Sequence, residues 1–152
     1  MESRIQHPAF MVPDAMPALQ AVGAAVGESG LPAKTIHLVD LRASQINGCG
    51  VCLDGHARLA RQLGETDERL VTVGAWRDAP YFTDAERAAL ALTEAVTRLS
   101  DRSDPVPDEV WDEAARHYDE KELAGLVLAI ANINVWNRLN VATKQPVGTR
   151  ET

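Results

Sequence analysis

Three residues of this chain have the types and spacing for thiol chemistry: Cys49, Cys52 and His56. On a helix turning about 100° per residue, the offsets i, i+3 and i+7 place them along one stripe. Helical side chains lean back over the preceding turn, so the His56 imidazole is expected over Cys52, where a neutral ring takes the thiol proton. The first turn of a helix also offers unpaired backbone N–H groups and the positive end of the dipole, and both stabilise a thiolate. Cys52 is therefore expected to be the activated sulfur. Cys49 is placed to resolve an oxidised Cys52 by closing a disulfide.

These are the two cysteines of the 152 residues. Two cysteines scattered at random over such a length fall at this spacing about one time in a hundred. A bridge between residues three apart removes little chain entropy, so stapling is a poor explanation for the pair. Two other readings stand beside the redox one. Cys49, Cys52, His56, Leu59 and Leu63 would form an ordinary buried stripe, or the cysteines and a histidine would hold zinc. Structural zinc usually draws its ligands from two separated pairs and one pair exists here, so no metal is expected.

The elements that must position these residues read as helices. Apolar residues recur at helical spacing nearly throughout, with no alternating strand pattern and no internal repeat. The spacing predicts helices over residues 14–27 and 32–45, and a third from the cysteines to Leu63, with Asn47-Gly48 as the break and Gly64 as the stop. Thr66 caps a short fourth helix through Trp76. Thr83 with Glu86 and Asp119 with Glu122 form capping boxes that launch a fifth helix to Leu99 and a seventh to about Ala142, with a sixth over residues 108–118. The expectation is an all-α single domain over residues 1–152 with about six to seven helices, and residues 144–152 as a flexible tail.

Composition agrees with a packed domain, since 45% of the residues are apolar. Fifteen Lys and Arg against 22 Asp and Glu give a formal net charge of −7, which disfavours nucleic acid as a partner. Residues 1–13 contain no apolar run of signal-peptide length, and no stretch approaches the roughly 20 apolar residues that span a bilayer. No membrane association and a cytoplasmic location are expected.

The run Leu41-Arg42-Ala43-Ser44-Gln45-Ile46-Asn47-Gly48-Cys49, continued by Cys52, Asp54 and His56, closely resembles the AhpD-like alkylhydroperoxidase core of the carboxymuconolactone decarboxylase family. The likeness extends through Gly64-Glu65-Thr66, Trp76-Arg77, residues 86–94 and residues 133–138, and so covers most of the chain. The resemblance implies an all-helical AhpD-like bundle that assembles into homo-oligomers, trimers or hexamers, and reduces organic peroxides. It implies Cys52 as the sulfur that becomes the sulfenic acid, Cys49 as proton donor and resolving thiol, and His56 as part of a proton relay. The implied partners are a small-molecule peroxide and a dithiol or lipoyl-bearing protein reductant, without metal or haem.

Two positions depart from that pattern. Where the family's peroxidase pattern has a relay glutamate, twelve residues before the first cysteine, this chain has His37. A carboxylate orients His56 through a fixed charge, and a second imidazole offers a hydrogen bond without it. Either His37 substitutes, or Asp40 one turn on supplies the carboxylate, or His37 has no role. Val51 stands between the cysteines where the best-known pattern has a histidine, which removes one polar relay group.

Among the remaining residues, Asn134, Trp136, Asn137 and Arg138 need polar partners if buried and read mainly as structural. His117 suits a helix C-terminus, and Asp54 reads as a first-turn acid supporting the dipole. Trp76, Trp111, Tyr81 and Phe82 read as core or interface packing. Three functions follow: a CxxC-dependent peroxidase or broader thiol-disulfide oxidoreductase, a non-catalytic redox-sensing or binding module, and the cofactor-free lactone decarboxylation of the wider family, against which the cysteine pair counts.

Overall fold

The computed structural model describes residues 2–148. Among them are eight α-helices, one 3₁₀ turn and no strand: α1 (Pro8–Met11), α2 (Ala15–Gly27), α3 (Ala33–Asn47), α4 (Gly50–Gln62), α5 (Asp67–Thr72) running into the turn Val73–Ala75, α6 (Asp84–Thr97), α7 (Asp108–His117) and α8 (Glu120–Thr143). The seven expected helices correspond to α2 to α8. The fourth, expected to run to Trp76, tightens into the 3₁₀ turn instead. The additional α1 is a single turn begun by Pro8, with the His7 ring accepting the Ala9 N–H at 3.2 Å.

Local chemistry sets the boundaries. Both capping boxes form: Thr83 and Glu86 satisfy each other's backbone N–H groups, as do Asp119 and Glu122. The Thr66 side chain accepts from the Arg69 N–H at the start of α5. Gly48 ends α3 in left-handed backbone, φ 69°, a conformation that costs a residue with a Cβ about 1 kcal/mol or more.

Helix α3 runs through the middle, packed by α4, α6 and α8. Its Val39 joins Leu92, Leu126 and Ile130 in one apolar cluster, and its Leu38 and Leu41 join Leu70, Val73, Trp76, Phe82 and Leu90 in another. Each such fully buried side chain contributes about 1.5–3 kcal/mol relative to exposure. A smaller cluster of Ala43, Cys49, Cys52 and Ile133 sits where the end of α3, the start of α4 and α8 meet.

Polar seams fix the register of these helices. Glu94 of α6 accepts from Arg42 Nε at 2.7 Å, Trp76 Nε1 at 3.0 Å and Arg77 Nη1 at 2.8 Å. On α8, the fully buried Asn137 donates to Ser44 Oγ and accepts from Asn47 Nδ2, both at 2.9 Å. Asn47 Nδ2 also reaches Asn134 Oδ1 at 2.9 Å, and Asn134 in turn donates to Thr97 Oγ1 at 3.1 Å. The C-terminal end of α3 is thus bolted to α8 immediately before the cysteines.

Of the expected tail, residues 144–148 contact the body of the protein. Gln145 donates its backbone N–H to the Asn140 carbonyl and its side-chain amide to the Ile5 carbonyl, each at 3.0 Å. Residues 149–152 lie outside the described residues. No helix among the described residues is long and apolar enough to cross a membrane.

Candidate functional site

The sharp turn at Gly48 delivers Cys49 in extended backbone, φ −85° and ψ 93°, as the N-cap of α4. Its Sγ accepts the Cys52 N–H at 3.3 Å, the place a Ser, Asp or Asn oxygen usually fills. This alters the helical-stripe expectation: Cys49 stands before the first turn, and the orphan N–H expected to support Cys52 is directed at the Cys49 sulfur. A disulfide joins the two residues, with their Cα atoms 5.4 Å apart. Both are buried, and Asn140 Nδ2 of α8 approaches Cys52 Sγ at 3.5 Å.

His56 is one turn further along α4. Its Nδ1 lies 3.1 Å from Asp40 Oδ2 and 3.3 Å from His37 Nδ1, and His37 Nδ1 lies 3.8 Å from the same carboxylate oxygen. Of the two groups considered for the glutamate's place, Asp40 and His37, both lie beside His56 Nδ1, with Asp40 nearer. Among the described residues no hydrogen bond joins His56 to either sulfur. Burial holds the Asp40 carboxyl well above its ordinary range. Burial also lowers His37, and burial together with repulsion from His37 lowers His56 to about 4. Desolvation therefore favours uncharged imidazoles at neutral pH, the form that accepts a proton.

Cys52, His37, Asp40 and His56 line one cavity of about 450 Å³ between α2, α3, α4 and α8, whose apolar wall includes Ile36, Val51, Leu59, Ile133 and Trp136. Cys49 instead borders a second cavity of about 410 Å³, with Gly50, Lys144, Gln145 and Val147. The two cysteines thus border different cavities, which share Val51 and Asn140 in their walls. The second is closely fitted, since a Cβ on Gly50 would come within 2.8 Å of Val147.

Of the residues weighed from sequence, Cys49 and Cys52 are joined, and His37, Asp40 and His56 form one cluster beside Cys52. Trp136 lines the cavity and stacks on His7, while Asn134, Asn137 and Arg138 serve the α3–α8 seam. Asp54 departs from expectation: it lies beyond the first turn of α4 and pairs with Arg58. His117 occupies the last turn of α7, bonded to Glu113. Trp76 and Phe82 are buried, whereas Tyr81 and Trp111 are exposed. Sequence reasoning missed Asn140; its signal was the spacing of Asn134, Asn137 and Asn140, which returns an amide to one face of α8 at each turn.

Comparison with known proteins bears on this arrangement. The model of the carboxymuconolactone decarboxylase family matches residues 13–95. An uncharacterised protein of Bacillus subtilis strain 168, YdfG, is 36% identical over 132 residues, covering 87% of this chain and 88% of its own length. The alkyl hydroperoxide reductase AhpD of Methylocella silvestris is 34% identical over 80 residues, 53% of this chain and 42% of that protein. A solved structure of a protein of unknown function from Agrobacterium tumefaciens superposes with a TM-score of 0.89 at 34% identity, covering 98% of this chain and all of that one. The debrominase Bmp8 shares the fold, at a TM-score of 0.79 and 22% identity over 90% of this chain and 73% of its own. The chain belongs to the carboxymuconolactone decarboxylase family.

Proposed function

We propose that this protein is a thiol-dependent peroxidase that reduces organic hydroperoxides through Cys49 and Cys52. The observation that carries the reading is that Cys52 shares a largely apolar cavity with the Asp40, His37 and His56 cluster. A relative named for alkyl hydroperoxide reduction supports it. In the reduced protein, the Cys52 thiolate attacks the terminal oxygen of ROOH, the O–O bond breaks, and ROH leaves after taking a proton, with Cys52 oxidised to the sulfenic acid. The Cys49 thiolate, stabilised by the Cys52 N–H at the helix start, then attacks Cys52 sulfur. Water leaves with a second proton and the disulfide closes. A dithiol, or a protein bearing a reduced (dihydrolipoyl) group, returns both cysteines to thiols and is itself oxidised to a disulfide.

His56 holds and transfers protons in this scheme, and Asp40 orients it. The burial of both sulfurs favours a small oxidant over a folded protein disulfide. The test is consumption of a dithiol driven by an alkyl hydroperoxide. Cys52→Ser is expected to abolish it, and retained turnover would overturn the role of Cys52. Cys49→Ser is expected to accumulate a Cys52 sulfenic acid that dimedone traps, visible as added mass. The reading includes a homo-oligomer, checked by light scattering.

A further inference from the structure

His37 Nδ1, His56 Nδ1 and Asp40 Oδ2 form a triangle with sides of 3.3, 3.1 and 3.8 Å. Hydrogen bonding serves this triangle incompletely. His56 Nδ1 is within reach of both other atoms but has either one N–H or one lone pair, so it satisfies one neighbour at a time. A point about 2.0 Å from all three atoms lies inside the triangle, and Zn–N and Zn–O bonds are about 2.0–2.2 Å long. Tetrahedral zinc with bonds near 2.1 Å needs donors about 3.4 Å apart, whereas octahedral magnesium needs them about 3.0 Å apart. The observed sides average close to the first figure, and two imidazoles with one carboxylate suit zinc better than magnesium or calcium.

The geometry points to a binding site for a divalent transition cation of the zinc type, with His37, His56 and Asp40 as ligands and a fourth position for water or a small molecule. The three residues come from two rigid helices, α3 and α4, and their donor atoms already stand at ligand spacing, so little reorganisation opposes binding. The donor set differs from the cysteine-based zinc site weighed from sequence. It does not depend on the proposed peroxidase chemistry, but the two compete: a cation on His56 Nδ1 occupies the atom that pairs with Asp40 and blocks the relay.

The experiment measures zinc on the disulfide form, in which no turnover runs and no thiol is present. Protein stripped with EDTA, loaded with zinc chloride and desalted is expected to hold one zinc per chain by elemental analysis. Cobalt in its place is expected to give the intense visible bands of a four-coordinate site. His37→Gln and Asp40→Asn, each checked for folding by circular dichroism, are expected to weaken zinc binding by more than about tenfold. The double variant Cys49→Ser with Cys52→Ser is expected to bind as the parent does. No uptake by the disulfide form, affinity unchanged in His37→Gln, or uptake lost in the double cysteine variant would each overturn the site. The peroxidase reading is tested separately, by dithiol turnover of protein stripped of metal with EDTA. If Asp40→Asn fails to fold, the half-buried His37→Gln decides.

Discussion

Asp40 Oδ2 stands 3.1 Å from His56 Nδ1, tying the middle of α3 to the second turn of α4 across the floor of the cavity that Cys52 lines. Under the proposed chemistry this contact keeps the His56 Nδ1 edge turned toward Asp40 and limits rotation of the ring. In the same scheme, Asp40→Asn is expected to lower kcat for hydroperoxide by roughly 10-fold, less than the roughly 100-fold or more that a positioned general base contributes, because Asp40 orients His56 and does not itself carry the proton. KM should change little, because the apolar wall is intact. A KM rise at constant kcat, in steady-state kinetics, would assign Asp40 to substrate binding instead.

The sulfur cap on α4 makes a separate prediction about Cys49. In the reduced Cys52→Ala variant, the backbone N–H of residue 52 and the helix dipole still favour charge on the remaining sulfur. Its pKa is expected below the ordinary value of about 8.5. Thiolate ultraviolet absorbance followed against pH measures it, and a value at or above the ordinary one would show that burial outweighs the cap.

What could be read before the structure was known, and what could not, divides along physical lines. Capping boxes, the Asn47-Gly48 break and the CxxC spacing are local, so the sequence carries them directly. The Asp40–His56 contact depends on the angle at which α3 docks on α4, and no single-helix pattern encodes that angle. Periodicity alone puts Cys49 on a helical stripe because it ignores the one extended residue that follows Gly48. Helix α1 is illegible in the sequence because four residues are too few to show a period, while Asn140 is marked only by its helical spacing with Asn134 and Asn137.

Removing the Asn137 amide is expected to destabilise the fold. Asn137→Ala leaves the fully buried Ser44 Oγ without its donor and leaves the half-buried Asn47 bonded to Asn134 alone. A stranded buried polar group costs about 1–3 kcal/mol, so with Ser44 Oγ stranded a loss of about 2 kcal/mol in urea unfolding is expected. A change under about 0.5 kcal/mol would show that the seam is dispensable.

Glu94 gives stability a pH dependence. Burial alone would raise its pKa, but hydrogen bonds from Trp76, Arg77 and Arg42 outweigh that and hold it below the ordinary glutamate range. Because the folded value is depressed, its contribution is complete above the unfolded-state pKa, about 4.3, and is lost as pH falls through the folded value. The stability gap between the parent and Glu94→Gln, read from urea midpoints, is expected to be constant from about pH 7 to 5 and to narrow below about pH 4. A gap that widens on acidification would contradict this sign.

The three amides of α8 have a consequence for how this protein tolerates change. Asn134 and Asn137 clamp the end of α3, and Asn140 meets Cys52, so the sulfur pair is indexed to a ruler set along one helix face. Ile36 and Leu59, which form part of the cavity wall, contribute no hydrogen bond to that ruler. Under the proposed chemistry, substrate preference and thiol placement are therefore separable: the wall is open to redesign by apolar substitution while the spacing of sulfur, amide and imidazole stays as it is.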